Sequence, residues 1–252
     1  MPERGKHMNE VSHSLDRLAM ATERLLATAT ALSDAEMRDP SLLPGWTRGH
    51  VLTHIARNAD GLVNLLRWAR TGTKIPMYTS AESRSADVEA GSGRPAASLA
   101  ADVRESAAAF AAEAAALPGE AWAEQVRALH GPPFPAIGVL ERRLSEVEIH
   151  HVDLAAGYTP GDWPEDFLIE ALPRVALSFT GREDAPRCLV SARGSKDSFR
   201  IGPEQDGAEQ EGPPVIIHGQ PADLLAWLLG RGSGDGLTLA SGTALPELPP
   251  WR

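Results

Sequence analysis

Two ionisable side chains one helical turn apart offer the clearest chemistry in this sequence. Glu146 and His150 are four residues apart, in a segment whose apolar residues recur at helical spacing. Both side chains therefore project from one side of a helix, where a carboxylate and an imidazole are able to bind one divalent cation. The same spacing is also typical of a simple ion pair on an exposed helix face, and this alternative stays open for the pair alone. Asp153 and Glu148 are candidate hydrogen-bond partners that would orient the histidines.

A third candidate ligand lies on a second predicted helix. His54 stands between Leu52 and Ile55, where an imidazole needs a buried partner, and a histidine satisfied within the core would also fit. If the two helices are neighbours in a bundle, His54 joins Glu146 and His150. Two imidazoles and one carboxylate leave a coordination position for water or substrate, as in catalytic zinc sites. Zinc is the expected ion, although iron, nickel and cobalt also suit these ligands.

Two other histidine arrangements compete with this one. His50 and His54 are also four residues apart, and Glu148 precedes His151 by three. The second pattern resembles half of a di-iron carboxylate site, which needs a second copy of the motif and further glutamates. The sequence contains no second copy, so we predict a site for one metal ion.

The elements that must position these residues are mostly helical. Helical periodicity and alanine content predict four helices in an antiparallel bundle, with Thr47 as the N-cap of the second helix and an irregular crossover over residues 71–94. The predicted helices cover residues 11–32, 48–70, 96–116 and 136–156.

The pattern changes after residue 160, where we place a domain boundary. Residues 164–179 predict a helix that is kinked or split at Pro173, and residues 220–230 predict an amphipathic helix. Short β-like runs occupy residues 188–192, 198–201, 215–218 and 237–241. The predicted fold class is therefore α+β, with a helical bundle over residues 1–160 and a small α/β domain over residues 161–252.

Composition excludes several classes of protein. A net charge of −10 argues against a nucleic-acid partner, and no apolar run approaches the roughly 18 residues that span a bilayer. The first residues lack the apolar core of a secretory signal. Cys188 is the only cysteine, so no internal disulfide forms, and its apolar surroundings favour a buried, inert thiol over a nucleophile. We expect a cytoplasmic protein.

Four segments together resemble the mycothiol-dependent maleylpyruvate isomerases, a branch of the DinB-like metal proteins. They are residues 43–60 (LPGWTRGHVLTHIARNAD), residues 143–154 (RLSEVEIHHVDL), the crossover with Pro76-Met-Tyr78, Arg84 and Asp87, and residues 225–231 (LAWLLGR). The first segment is shared with many DinB-like proteins. The crossover and the last segment narrow the resemblance to the isomerases.

The resemblance implies a fold, a site and a reaction. The fold is a DinB-like four-helix bundle followed by a small α/β domain. The family's metal ligands fall on His54, Glu146 and His150, and its essential arginine falls on Arg231. Without the resemblance, Arg231 would be explained by the dipole at a helix end. The implied reaction converts 3-maleylpyruvate to 3-fumarylpyruvate in gentisate breakdown, with mycothiol as the thiol cofactor.

Two alternatives use the same residues differently. A mycothiol-dependent S-transferase would conjugate the thiol to an electrophile at the same metal site. A non-catalytic protein would hold an apolar ligand in its C-terminal domain and use the metal for stability. The partners expected in the first two cases are a small substrate and a low-molecular-weight thiol. The sequence does not indicate an oligomeric state.

Overall fold

The chain forms two compact units. The computed structural model describes residues 2–203, 213–242 and 244–251. The units are Met1–Tyr158 and Thr159–Arg252, so the division lies two residues before the boundary expected at residue 160. Within the described residues, no helix is both long enough and apolar enough to cross a membrane.

Five α-helices build the described part of the first unit. Helix α2 packs against α3, α4 and α5, while α1 packs against α4 and α5, so the four long helices close into a bundle. The four predicted helices are confirmed, and the first begins at Pro2 rather than at residue 11. A short antiparallel pair, β1 (Gln125–Val126) and β2 (Phe134–Pro135), precedes α5. The helices are α1 (Pro2–Ala31), α2 (Arg48–Thr71), α3 (Ala81–Ser92), α4 (Ala96–Ala115) and α5 (Gly138–Asp153).

Helix α3 corrects the expectation of an irregular crossover over residues 71–94. Its sequence lacks a strong apolar stripe, and Val88 and Gly91 are its buried residues. A Cβ on Gly49 of α2 would overlap the backbone of Ser92, and one on Gly91 would meet the side chain of Thr53. Close approach of two helix backbones thus replaces side-chain packing here. The small residues that indicated a loop are the ones that permit this contact.

Local signals fix the start and end of α2. The Thr47 side chain accepts a hydrogen bond from the backbone N–H of His50, and His50 Nδ1 accepts one from the Thr47 N–H, which confirms the predicted N-cap. The helix ends at Gly72, whose φ of 70° is the left-handed conformation that glycine adopts without strain. His54 lies in the second turn of this capped, largely buried helix.

In the part of the second unit that the structure describes, two α-helices combine with a four-stranded sheet. Helix α6 continues through Pro173, so the expected split does not occur, although proline has no N–H to donate to the carbonyl one turn earlier. The strand order is β4-β3-β5-β6, with β3 and β5 parallel and the other pairs antiparallel. The predicted α+β class is confirmed. The elements are α6 (Glu165–Leu177), β3 (Cys188–Ala192), β4 (Ser198–Ile201), β5 (Val215–Gly219), α7 (Pro221–Leu229) and β6 (Thr238–Leu239).

Candidate metal centre

The three predicted ligands converge at the contact between α2 and α5. His54 Nε2 lies 2.9 Å from Glu146 Oε2 and 3.0 Å from His150 Nε2. The remaining pair, His150 Nε2 and Glu146 Oε2, is 3.3 Å apart. Ligand atoms about 2.1 Å from one cation are separated by about 3.0 Å at right angles and about 3.4 Å in a tetrahedron. The three atoms therefore already have the spacing of ligands on one face of a coordination sphere.

The two helices present this triad at different depths. His54 is buried, with 5% of its side chain exposed, whereas Glu146 keeps 31% of its side chain exposed. The rings of His54 and His150 are perpendicular, with centroids 4.6 Å apart. Among the described residues, groups of three or more His, Cys, Asp or Glu with metal-binding geometry are limited to this triad. Access from solvent is therefore on the Glu146 side.

A buried carboxylate orients His150. Asp153 Oδ2 lies 2.7 Å from His150 Nδ1, and the Asp153 side chain is fully buried. Because the ionised carboxylate is only an acceptor, His150 donates from Nδ1 and directs Nε2 at Glu146 and His54. Glu148, the other candidate for this role, instead contacts Arg24 and Tyr158.

Burial and hydrogen bonding set the charges of the triad. Burial lowers the pKa of His54 to about 4, despite the hydrogen bond to Glu146. Burial acts in the same sense on His150, but hydrogen bonds to Asp153 and Glu146 outweigh it and raise the pKa of His150 to about 9. Burial opposes ionisation of Glu146, yet the bonds from both histidines hold its pKa well below its ordinary value. At neutral pH, without a bound cation, His54 is neutral, Glu146 is ionised and His150 is protonated.

Three further residues surround His54. Arg84 Nη2 lies 3.1 Å from His54 Nδ1, and the Arg84 guanidinium lies 5.9 Å from the ring centroid of Tyr78. Arg84 and Tyr78 belong to the crossover segment that carries part of the family resemblance, and both lie beside the site. The ring of Trp46, which precedes α2, meets the His54 ring edge-on, with centroids 5.6 Å apart.

Arg143, which the sequence alone does not single out, ties α2 and α5 together. Its side chain is fully buried, and Nη1 donates to the backbone carbonyl of Ile55 at 2.7 Å and to Asn58 Oδ1 at 3.0 Å. Burial lowers its pKa to about 10, so it stays charged at neutral pH. The available signal was its spacing: Arg143 precedes Glu146 by three residues, which places both side chains toward α2.

Two other candidates lie in the second unit. Arg231 follows the end of α7, donates from Nη1 to the carbonyl of Leu229, and lines a cleft of about 570 Å³ with Trp227 and residues 245–251. Its bond to a carbonyl at the helix end agrees with the helix-end interpretation, and a catalytic role stays a prediction. Cys188 is fully buried, and burial raises its pKa to about 11, so it remains an un-ionised thiol at neutral pH.

The chain matches known proteins over both units. Residues 18–155 match the family model described as the mycothiol maleylpyruvate isomerase N-terminal domain, and residues 162–250 match the C-terminal domain model of that family. A solved structure of a mycothiol-dependent maleylpyruvate isomerase is 31% identical, with a TM-score of 0.87, covering 96% of this chain and 97% of the other. A histidine-to-alanine variant gives a TM-score of 0.86 at the same identity and coverage. No curated protein matches the chain. The chain belongs to the mycothiol maleylpyruvate isomerase family.

Proposed function

We propose that this chain catalyses the cis-to-trans isomerisation of 3-maleylpyruvate to 3-fumarylpyruvate, with mycothiol as the thiol cofactor and a divalent cation held by His54, Glu146 and His150. Family membership supports the reaction and the thiol. The observation that carries the proposal is the convergence of two imidazole nitrogens and one carboxylate oxygen within 3.3 Å of one another. That donor set suits zinc best, so zinc is the proposed ion.

The reaction explains why a thiol and a positively charged site are needed together. A carbon–carbon double bond conjugated to a carbonyl group does not rotate freely. When a thiolate adds to it, a C–S bond forms, the π bond breaks and the electron pair moves to the carbonyl oxygen as an enolate. The remaining single bond then rotates, and expulsion of the thiolate restores the double bond in the trans form. The thiol is regenerated in each turnover.

A free thiol ionises too little to drive this addition quickly. With a pKa near 8.5, only about 3% of a thiol is ionised at pH 7. A divalent cation held by His54, Glu146 and His150 would lower the pKa of a thiol bound to it, and complete ionisation of that thiol would contribute about 2 kcal/mol. The protein's own part is to present the ligand atoms: Asp153 directs His150 Nε2 inward, and Glu146 supplies a negative charge.

Arg231 is the proposed catalytic residue for the charge that develops on the substrate. A guanidinium group offers several N–H donors in one plane, which suits a carboxylate or an enolate oxygen. Support for this role comes from the match between residues 225–231 and the family's C-terminal segment. The expected consequence is that Arg231→Lys keeps the charge but loses the planar donor pair, and lowers kcat.

The decisive experiment follows maleylpyruvate isomerisation with and without mycothiol, before and after treatment with a chelator. Turnover should need both the thiol and the cation, and zinc should restore it. The free thiol should stay constant while product accumulates. Loss of thiol in proportion to product would identify an S-transferase instead, and turnover after complete removal of the cation would contradict the metal-assisted mechanism.

A further inference from the structure

Arg143 forms a hydrogen-bonded cross-link between α2 and α5 at the level of the candidate metal ligands. Its Nη1 donates to the backbone carbonyl of Ile55 at 2.7 Å and to Asn58 Oδ1 at 3.0 Å. Ile55 directly follows His54 along α2. On α5, Arg143 lies about one turn before Glu146. The cross-link therefore joins the two helices within about one turn of the ligands that they contribute.

Stability alone does not explain a charged group at this position. Arg143 is 1% exposed, and its Nη2 is buried without a hydrogen-bond partner in the part of the chain that the structure describes. No carboxylate in that part lies within ion-pair distance of its guanidinium group. A buried unpaired charge and an unsatisfied donor both cost free energy, and apolar side chains of similar volume are often at least as stabilising. This balance points to a role in the geometry of the helices.

A cation shared by α2 and α5 tolerates little variation in how the two helices are placed. Metal–ligand distances are fixed to within about 0.2 Å, whereas sliding one helix by a single residue moves its side chains by about 1.5 Å. His54 Nε2 lies 2.9 Å from Glu146 Oε2, across the contact between the helices. Because Ile55 and Asn58 are about one turn apart, bonds to both restrict the axial position of α5 as well as its separation from α2.

We propose that Arg143 is a positioning residue of the metal centre: it holds α2 and α5 at the separation and axial register that bring His54 and Glu146 to one cation. The inference rests on the proposed metal centre and adds to it a residue that is not itself a ligand. The charge of Arg143 acts in the opposite direction, since a positive group near the site disfavours a bound cation. Weaker zinc binding after removal of this side chain would therefore come from geometry and not from charge.

The test replaces the cross-link with apolar side chains of similar size. Arg143→Met alone leaves the buried Asn58 oxygen without its donor, so it should lower the midpoint of thermal unfolding in the absence of zinc. The double variant Asn58→Leu/Arg143→Met removes both polar groups and should unfold at the wild-type temperature or above it. Zinc should nevertheless bind the double variant about tenfold or more weakly than the wild type, measured by competition with a chromophoric chelator.

Arg24→Met is the matched control, because it removes an arginine that connects α1 to α5. Arg24 Nη2 lies 2.6 Å from Oε1 of the buried Glu148, which would lose its ionic partner. Without zinc, this variant should therefore unfold at a lower temperature than the wild type. Its zinc affinity should stay within about twofold of the wild type. The control and the double variant thus change stability and zinc affinity in different ways.

The absorption spectrum of bound Co²⁺ reports the arrangement of the ligands directly. At saturating Co²⁺, the wild type and Arg24→Met should give the same visible bands, whereas the double variant should give bands of different position and intensity. Because every molecule carries the ion, differences in affinity do not enter this comparison. Asn58→Leu alone removes one bond of the cross-link and keeps the charge of Arg143, so it should change the spectrum and weaken zinc binding by a smaller factor.

Wild-type zinc affinity in the double variant would overturn the proposal, and so would tighter binding or an unchanged Co²⁺ spectrum. If the double variant does not fold, Asn58→Leu decides, since wild-type affinity and spectrum in that variant would also overturn the role of Arg143. If the wild type binds zinc but does not isomerise maleylpyruvate, the proposed reaction fails while the zinc and Co²⁺ measurements still judge Arg143. If the wild type binds neither ion, both proposals fall.

Discussion

Helix α5 carries two glutamate–histidine pairs, and the two pairs have different hydrogen-bond partners. The α2-facing pair is Glu146 and His150, and the α1-facing pair is Glu148 and His151. On the α1 side, Glu148 Oε1 accepts a bond from Arg24 at 2.6 Å, and Oε2 accepts one from the Tyr158 hydroxyl at 2.6 Å. His151 Nε2 lies 2.8 Å from the Thr28 hydroxyl, and its ring stacks on Tyr158 with centroids 3.8 Å apart.

The two pairs differ in which groups face the lone pairs of the carboxylate and the imidazole. In the α1-facing pair, a cation, a phenol and a hydroxyl group meet the carboxylate and imidazole, so the pair forms part of a hydrogen-bonded network that connects α1 to α5. In the α2-facing pair, Glu146 Oε2 and His150 Nε2 face His54 Nε2, so three atoms that could bind one cation converge. Residue type does not distinguish the two pairs, and spacings of four and of three residues both place a carboxylate and an imidazole on one helix face. The side chains on the neighbouring helices distinguish them.

Substitution of His54, the third candidate ligand, should produce the largest difference between the α2-facing and the α1-facing pair. In His54→Ala the triad loses the imidazole that faces both other ligands, so we expect little bound metal and a loss of activity of about a thousandfold or more, with the bundle still folded. Metal content, turnover and far-ultraviolet circular dichroism check this.

The matched control for that variant is His151→Ala. It also removes a buried histidine, but from the α1-facing pair, and should lower thermal stability while retaining one metal ion per chain. Normal turnover in His54→Ala would refute the assignment of the ligands. An unfolded His54→Ala protein would point to a metal that serves stability alone.

Neutralising Glu148 should lower the free energy of unfolding and leave zinc binding unchanged. Glu148 is almost fully buried, and its charge is paired with Arg24. In Glu148→Gln the ionic partner of Arg24 is lost, so we expect unfolding to become easier by about 2–4 kcal/mol in denaturant titrations. Zinc affinity should stay within about twofold of the wild type. A large loss of zinc affinity would show that the two sides of α5 are not independent.

The sequence alone predicts the features that depend on residues close together along the chain. Thr47 caps α2 through residues within one turn, and the ligand helix around Glu146 has a regular apolar stripe, so both were predicted. Helix α3 was missed because its stability depends on Gly49 and Gly91, which allow two backbones to approach. The residue pattern within 71–94 gives no indication of that contact.

The same limit applies to predicting the metal centre from the sequence. The three ligands were predicted from residue type, spacing and family resemblance, since those carry information on which helix faces matter. The bond from Arg143 to Asn58 and the contact of Arg84 with His54 depend on which helices are neighbours. Glu146 and Glu148 are two residues apart, and their different partners likewise depend on the side chains that α2 and α1 place beside them.

Changing the acceptor behind His150 should have a smaller effect than removing Glu148. In Asp153→Asn a neutral amide replaces the carboxylate that accepts from His150 Nδ1 at 2.7 Å. The imidazole becomes a weaker ligand and loses its fixed tautomer, so zinc affinity should fall about 10–100-fold, with a corresponding loss of turnover at limiting zinc. Competition with a chelator measures this. Unchanged affinity would contradict the role assigned to Asp153.

The pH dependence of zinc affinity should be the smallest effect per step, and it is measurable in the wild type as well as in the variants. Because the pKa of His150 is raised to about 9, one proton must leave before this nitrogen binds a cation. The pKa of His54 is about 4, so His54 releases no proton above pH 6. Apparent zinc affinity should therefore rise about tenfold per pH unit from pH 6 to 8 in the wild type and in Glu148→Gln. In Asp153→Asn the rise should level off at lower pH, because its His150 holds the proton less tightly.

The protein without cation should respond to pH in the opposite sense. Its folded His150 has a pKa above the ordinary value of 6.5, so the folded state holds a proton that the unfolded chain has released between pH 6.5 and 9. This contribution to stability is complete below pH 6.5 and is lost as the pH rises toward 9, at up to about 1.4 kcal/mol per pH unit. Denaturant titrations across this range check the sign. If stability without cation and zinc affinity both rose with pH, the proton would not reside on His150, and the charge assignment of the α2-facing pair would be wrong.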